Sequence, residues 1–231
     1  MSEASQLDSL NARIVACERC PSLRQYCAEV ARTRRRAFLN YEYWGRPVPS
    51  FGDPEASILV LGLAPGAHGS NRTGRPFTGD GSGDFLFPVL HEAGFASQPK
   101  ATSREDGLTL TNMWIGAVVR CAPPGNKPSS EEQRNCALWL DEEISLLRNL
   151  KVVVCLGKIA FDGFLGHRAR TGRLAARGVS RPHFAHAAEY MLEDGLHLLA
   201  SYHPSLQNTN TGKLTRPMFL EVFRRAGALA S

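Results

Sequence analysis

The sequence predicts an α/β fold: a three-layer α/β/α domain built on a central, mainly parallel, four-stranded sheet. Four short apolar runs, at residues 57–61, 108–113, 151–156 and 196–201, are each bounded by Gly, Asp or Pro and read as buried strands. Helical segments alternate with them, near 83–92, 129–150, 158–165 and 214–229. Strands that are apolar throughout, rather than alternately apolar and polar, need cover on both faces. A parallel sheet between two helical layers provides it.

The elements follow in order. A first helix spans about residues 6–17, and Cys17-Glu-Arg-Cys20-Pro21 turns the chain into a second helix from Ser22. Residues 40–54 are rich in aromatics, Gly and Pro and read as an ordered loop. Ser129-Ser130-Glu131-Glu132 is a helix start, with serines at the cap and acids in the first turn. With 231 residues, of which 43% are hydrophobic, the chain is expected to form one domain over 1–231, the cysteine-bearing segment of about 1–40 at its start.

Composition narrows the function classes. Lys and Arg total 27 against 22 Asp and Glu, a net charge of +5, which suits a polyanionic partner without proving one. The N-terminal residues lack the basic and apolar regions of a signal peptide, and the longest apolar run, 58–64, is too short to span a bilayer. An intracellular, cytoplasmic protein with no membrane partner is the expectation. In that setting six cysteines read as thiols or metal ligands rather than a disulfide framework.

In a doubly covered parallel sheet, ligands bind beyond the carboxyl ends of the strands. The three segments expected there, 62–83, 117–128 and 202–212, are also the most unusual in composition. The first is dense in glycine, which allows close approach of backbone to a flat ligand but does not match the phosphate-binding P-loop spacing. His203, at a strand end, is a candidate hydrogen-bond donor to a developing anion, or simply a capping residue. Asp80 is equally readable as a helix cap, and Asp84 is the competing carboxylate. Cys17-x-x-Cys20 with Cys121-x14-Cys136 offers four thiolates, which on spacing suit tetrahedral zinc or a [4Fe–4S] cluster alike. Cys155, inside an apolar strand, reads as a small hydrophobe, and Cys27 as a lesser rival ligand.

Four motifs, in order, resemble the uracil-DNA glycosylase superfamily: Gly62-Leu-Ala-Pro-Gly66, Arg75-Pro-Phe-Thr-Gly-Asp-Gly-Ser-Gly83, Val119-Arg-Cys-Ala-Pro-Pro-Gly-Asn-Lys-Pro128 and His203-Pro-Ser-Leu-Gln-Asn-Thr-Asn-Thr-Gly212. The best match is family 5, close to the iron–sulfur enzymes of family 4, over residues 17 to about 215. The family 4 motif has a carboxylate where this chain has Leu63, and an Asn where it has Ala117. Family 5 shares both absences.

The resemblance implies a monofunctional glycosylase that flips uracil out of DNA, hydrolyses the sugar–base bond and leaves an abasic site. It implies similar action on hypoxanthine, xanthine and ethenocytosine. Asp80 becomes the catalytic carboxylate and His203 the donor to the base. Gly62, Ala64, Phe77, Asn126 and Asn208 become base-binding residues, and Leu206 with Gln207 the wedge that fills the vacated stack. It tips Cys17, Cys20, Cys121 and Cys136 toward a structural [4Fe–4S] cluster that ties the N-terminal segment to the loop after the second strand. Arg34, Arg35, Arg36, Lys213 and Arg216 are candidate phosphate contacts. The implied partner is base-damaged, double-stranded DNA, bound by a monomer associated with the nucleoid. The opposing reading is a DNA-damage-binding protein that has lost catalysis, which Leu63 and Ala117 permit. A metal-dependent nuclease or zinc protein on a similar fold is the third.

Overall fold

A computed structural model describes residues 3–173 and 181–231. Its six-stranded sheet has the order β1-β3-β2-β4-β6-β5. The four inner strands, β3 (Met113–Ala117), β2 (Ile58–Gly62), β4 (Val152–Leu156) and β6 (His197–Ser201), are parallel to one another. Three of them, β2, β4 and β6, are buried runs expected from the sequence. Two short antiparallel strands, β1 (Phe51–Gly52) and β5 (Glu189–Met191), finish the edges.

The β3 expectation needs correcting. The run 108–113 is not a strand; only Leu110 forms an isolated bridge, to Ala96, and pairing with β2 begins at Met113. Asn112 explains the shift: its φ of 55° is left-handed, its backbone N–H donates to Asp53, and its carboxamide oxygen accepts from the Ser57 backbone N–H. A residue pinned in that region interrupts extended chain, so the strand restarts after it.

Side-chain alternation along the strands divides the core in two. Leu59, Leu61, Trp114, Val153, Cys155, Leu198 and Ala200 face one layer, where they pack with residues of α1 (Glu3–Val15), α2 (Pro21–Thr33), α5 (Ser130–Leu146) and α6 (Lys158–Arg170). Ile58, Val60, Met113, Ile115, Val152, Val154 and Leu199 face α4 (Gly81–Glu92) and α8 (Arg216–Ala230). Short helices α3 (Ser70–Thr73) and α7 (Leu206–Asn210) sit in the loops after β2 and β6.

The start of α5 is the capping box expected from its sequence: Ser129 Oγ accepts from the Glu132 N–H, and Glu132 returns a bond to the Ser129 N–H. Buried Cys136, Trp139, Leu140 and Glu143 form its inner face at helical spacing. Among the described residues, no helix is long and apolar enough to cross a membrane.

Candidate active site

The loops after β2, β3 and β6 converge at the carboxyl edge of the sheet around a cavity of about 510 Å³. Its walls include Gly62, Leu63, Ala64, Pro65, Gly66, Phe77, Asp80, Ala117, Arg120, Asn126, His203, Leu206 and Gln207. The three odd segments of the sequence therefore make one site. Parallel strands carry their loops to one edge, and chain reversal through the covering helices keeps them there.

Asp80 has both roles the sequence left open. It is the N-cap of α4: Oδ1 accepts from the backbone N–H groups of Ser82 at 3.0 Å and Gly83 at 3.1 Å. Oδ2 lies beside the glycines of the first loop. A Cβ on Gly66 would meet it at 3.2 Å, and one on Gly69 at 1.9 Å. Only glycine at position 69 leaves room for this carboxylate. Burial pushes the Asp80 carboxyl above its usual range. The N–H bonds from Gly83 and Ser82 oppose that shift, Asp84 adds to it, and Arg72 opposes it.

His203 is lowered to about 4 by burial, so the ring is neutral at neutral pH. A neutral imidazole can donate a hydrogen bond without bringing a full charge into the cavity. Its ring lies 6.0 Å from that of Phe77, centroid to centroid. Phe77 has φ 51°, a strained value for an aromatic residue, and its ring packs on β2, where a Cβ on Gly62 would meet Cζ at 2.9 Å. A Cβ on Gly83 would strike the Phe77 carbonyl oxygen at 1.8 Å. Gly62 and Gly83 thus hold Phe77 in place from two sides.

The other expected residues divide. Gly62, Ala64 and Asn126 line the cavity, Asn126 at an exposed turn with φ 57°. Leu206 and Gln207 stand at its mouth; Leu206 is 58% exposed, with its methyl groups against Gly81. Asn208 is not among the lining residues. Its amide donates to the His203 carbonyl at 2.8 Å, which makes it a brace for the histidine loop rather than a wall of the cavity.

Sequence reading missed Arg120. It is 2% exposed and contributes to the cavity, while its guanidinium pairs with Glu143 Oε2 at 2.6 Å and bonds Ser50 Oγ. Glu143 is fully buried and also accepts from Trp114 Nε1 at 3.0 Å. A signal was present: a carboxylate at the helical spacing of an apolar face demands a buried cation.

Among the basic candidates, Arg35 and Arg36 are exposed, whereas Arg34 donates to the Leu39 carbonyl at 2.6 Å. Arg216 pairs with Glu92 at 2.7 Å, and the Lys213 ammonium lies 4.7 Å from the Tyr202 ring centre.

The four expected ligand cysteines pack against one core, and the Cys17 and Cys20 sulfurs act electrostatically on Cys136. Cys136 Sγ accepts from the Arg120 backbone N–H at 3.3 Å, and Cys20 Sγ from the Asn135 amide at 3.6 Å. Cys121 faces Cys27 as well as Cys136. Among the described residues, no three side chains close round a point tightly enough to hold a metal ion. The donor chemistry, four neighbouring thiols with N–H groups aimed at two of the sulfurs, fits a thiolate-bound group. Cys155 is fully buried in β4, as a small hydrophobe.

The Uracil DNA glycosylase superfamily model matches residues 49–227, a span that holds the whole cavity wall except Val48. The chain belongs to the uracil-DNA glycosylase superfamily. It is 54% identical to the type-5 uracil-DNA glycosylase of Thermus thermophilus, over 94% of this chain and 95% of that one. It is 45% identical to the type-5 enzyme of Mycobacterium tuberculosis, over 98% and 83%. Likeness to the type-4 enzyme of Thermotoga maritima is weaker, at 29% over 76% and 78%. The superfamily resemblance read from four motifs, and its ranking of family 5 over family 4, both stand.

Proposed function

We propose that this protein is a monofunctional uracil-DNA glycosylase of base-excision repair, which hydrolyses the N-glycosidic bond of a flipped-out nucleotide and leaves an abasic site. One observation carries the reading: a buried carboxylate, a neutral imidazole and an aromatic ring line one cavity of nucleobase scale at the rim of the sheet.

The chemistry follows from charge. As the C1′–N bond lengthens, the sugar becomes cationic and the base anionic. Asp80 stabilises the sugar cation through Oδ2 and takes the proton of the water that attacks C1′. His203 donates a hydrogen bond to a base carbonyl as negative charge grows there, and the base leaves with the bond's electron pair. Phe77 stacks on its face, and Asn126 meets its edge. The lining residues include no lysine, which agrees with a water nucleophile and no Schiff base. Leu63 and Ala117 leave that part of the wall without a polar base reader. Tolerance of hypoxanthine, xanthine and ethenocytosine is the expected consequence.

DNA is the substrate, taken as duplex by a monomer. Leu206, exposed at the cavity mouth, fills the gap left by the flipped base. Cys17, Cys20, Cys121 and Cys136 hold a [4Fe–4S] cluster, which supplies a covalent staple between the start of α2 and the β3–α5 segment. Its test is iron and sulfide analysis of anaerobically purified protein. A colourless protein with stoichiometric zinc would replace the cluster.

The deciding experiment incubates the protein with duplexes bearing uracil, hypoxanthine, xanthine or ethenocytosine, then cleaves abasic sites with alkali. Strand scission at uracil is expected. Tight binding without scission would favour the damage sensor over the enzyme.

A further inference from the structure

We propose that Arg72 is a positioning residue for Asp80, held beneath the rings of Phe38 and Tyr41 so that its guanidinium fixes the strand of loop that carries the carboxylate. The inference rests on Asp80 being the catalytic carboxylate.

Arg72 is 6% exposed and, among the described residues, has no carboxylate within ion-pairing distance. Two carbonyl oxygens take its donors instead: Nε bonds His68 O at 2.9 Å and Nη2 bonds Gly79 O at 2.7 Å. Gly79 directly precedes Asp80. Its φ is 76°, and a Cβ there would meet Arg72 Nη2 at 2.4 Å, so glycine is required for both the turn and the approach of the guanidinium. Aromatic rings also lie against the cation, with Cζ 4.1 Å from the Phe38 ring centre and 4.9 Å from that of Tyr41. A buried cation satisfied by carbonyls and π faces keeps its charge without neutralising it locally. That charge acts on the desolvated carboxyl of Asp80, where it favours the ionised form.

The charged groups acting on Asp80 are few. Asp84, on α4 itself, favours its protonation; Arg72, on α3, favours its ionisation. His203 shares the cavity and is uncharged at neutral pH. His68, beside the glycine that contacts Oδ2, hydrogen-bonds Tyr43 through Nδ1 at 3.1 Å, and burial lowers its pKa. Arg72 is thus the side-chain cation that favours the ionised form of Asp80, adding to the larger effect of the Gly83 and Ser82 N–H bonds against burial and Asp84. The first loop also ties this device to the exposed arm 35–41, since Phe38 and Tyr41 are its lid.

The test is the pH dependence of single-turnover uracil excision at saturating duplex for wild type, Arg72→Met, Arg72→Lys and Asp80→Asn. Arg72→Met is expected to move the acid limb to higher pH, with most of the rate recovered at high pH. Arg72→Lys is expected to leave the limb in place and lower the plateau, because an ammonium keeps the charge but cannot span both carbonyls. A uniform loss in Arg72→Met with an unmoved limb would overturn the proposal. Should that variant fail to fold, Arg72→Lys decides: an unchanged plateau, or a loss confined to DNA affinity, overturns it. Full activity in Asp80→Asn would instead remove the catalytic assignment beneath it, so the two failures are distinguishable.

Discussion

Asp80 caps a helix with one oxygen and faces the cavity with the other, so its two functions can be separated by substitution. Asp80→Asn retains an oxygen able to accept from the Ser82 and Gly83 N–H groups, now 3.0 and 3.1 Å from Oδ1, and asparagine is as good an N-cap as aspartate. It removes the charge. Stability should change by less than about 0.5 kcal/mol, since a buried carboxylate whose pKa burial has raised contributes little in its ionised form. Excision should fall about 10²–10⁴-fold, the usual range for a positioned acid–base group. Asp80→Ala should lose the same rate and the cap as well. The cap is worth ~1 kcal/mol, equivalent to a drop of about 2–4 °C in Tm for a chain of this size. The assay is single-turnover release of uracil from an end-labelled duplex, alongside thermal unfolding of each variant. A rate in Asp80→Asn within about threefold of wild type would refute the assignment of the carboxylate, as a loss well short of the acid–base range above. Equal destabilisation of both variants would refute the division of labour between its oxygens.

Three further outcomes follow from the site. The His203 ring should stay neutral down to about pH 4 in an NMR titration. With its folded pKa below the unfolded value of about 6.5, it costs the fold stability progressively as pH falls from there toward 4; a midpoint near 6.5 would show that burial does not control it. Gly62→Ala should displace the Phe77 ring, 2.9 Å from the added methyl, at about 1–3 kcal/mol, and stability and uracil excision measured together should both fall. Leu206→Ala should leave Tm unchanged, because the side chain is 58% exposed, while slowing excision from duplex more than from single-stranded DNA; equal slowing on both would remove its role as a wedge.

What could be read in advance was whatever depends on local pattern. Continuous apolar runs placed β2, β4 and β6 within a residue or two, because strands buried on both faces leave no polar alternation to confuse. The Ser129 cap was legible because its partners lie within one turn. Convergence of the three loops on one edge followed from strand polarity alone. The β3 boundary was not legible, since Asn112 is pinned by Asp53 and Ser57, both more than fifty residues away.

The sequence by itself determined the family, the strand count of the parallel core and the loops that form the site, since motifs and periodicity are carried by residues close together in the chain. Only the tertiary structure decided what individual side chains do there. Asn208 braces His203 instead of lining the cavity, Arg120 in the cavity wall pairs with buried Glu143, and Arg72 grips Gly79 against two rings. Each outcome depends on desolvation, on which polar partner remains within reach once water has gone, and so on packing that no local pattern encodes.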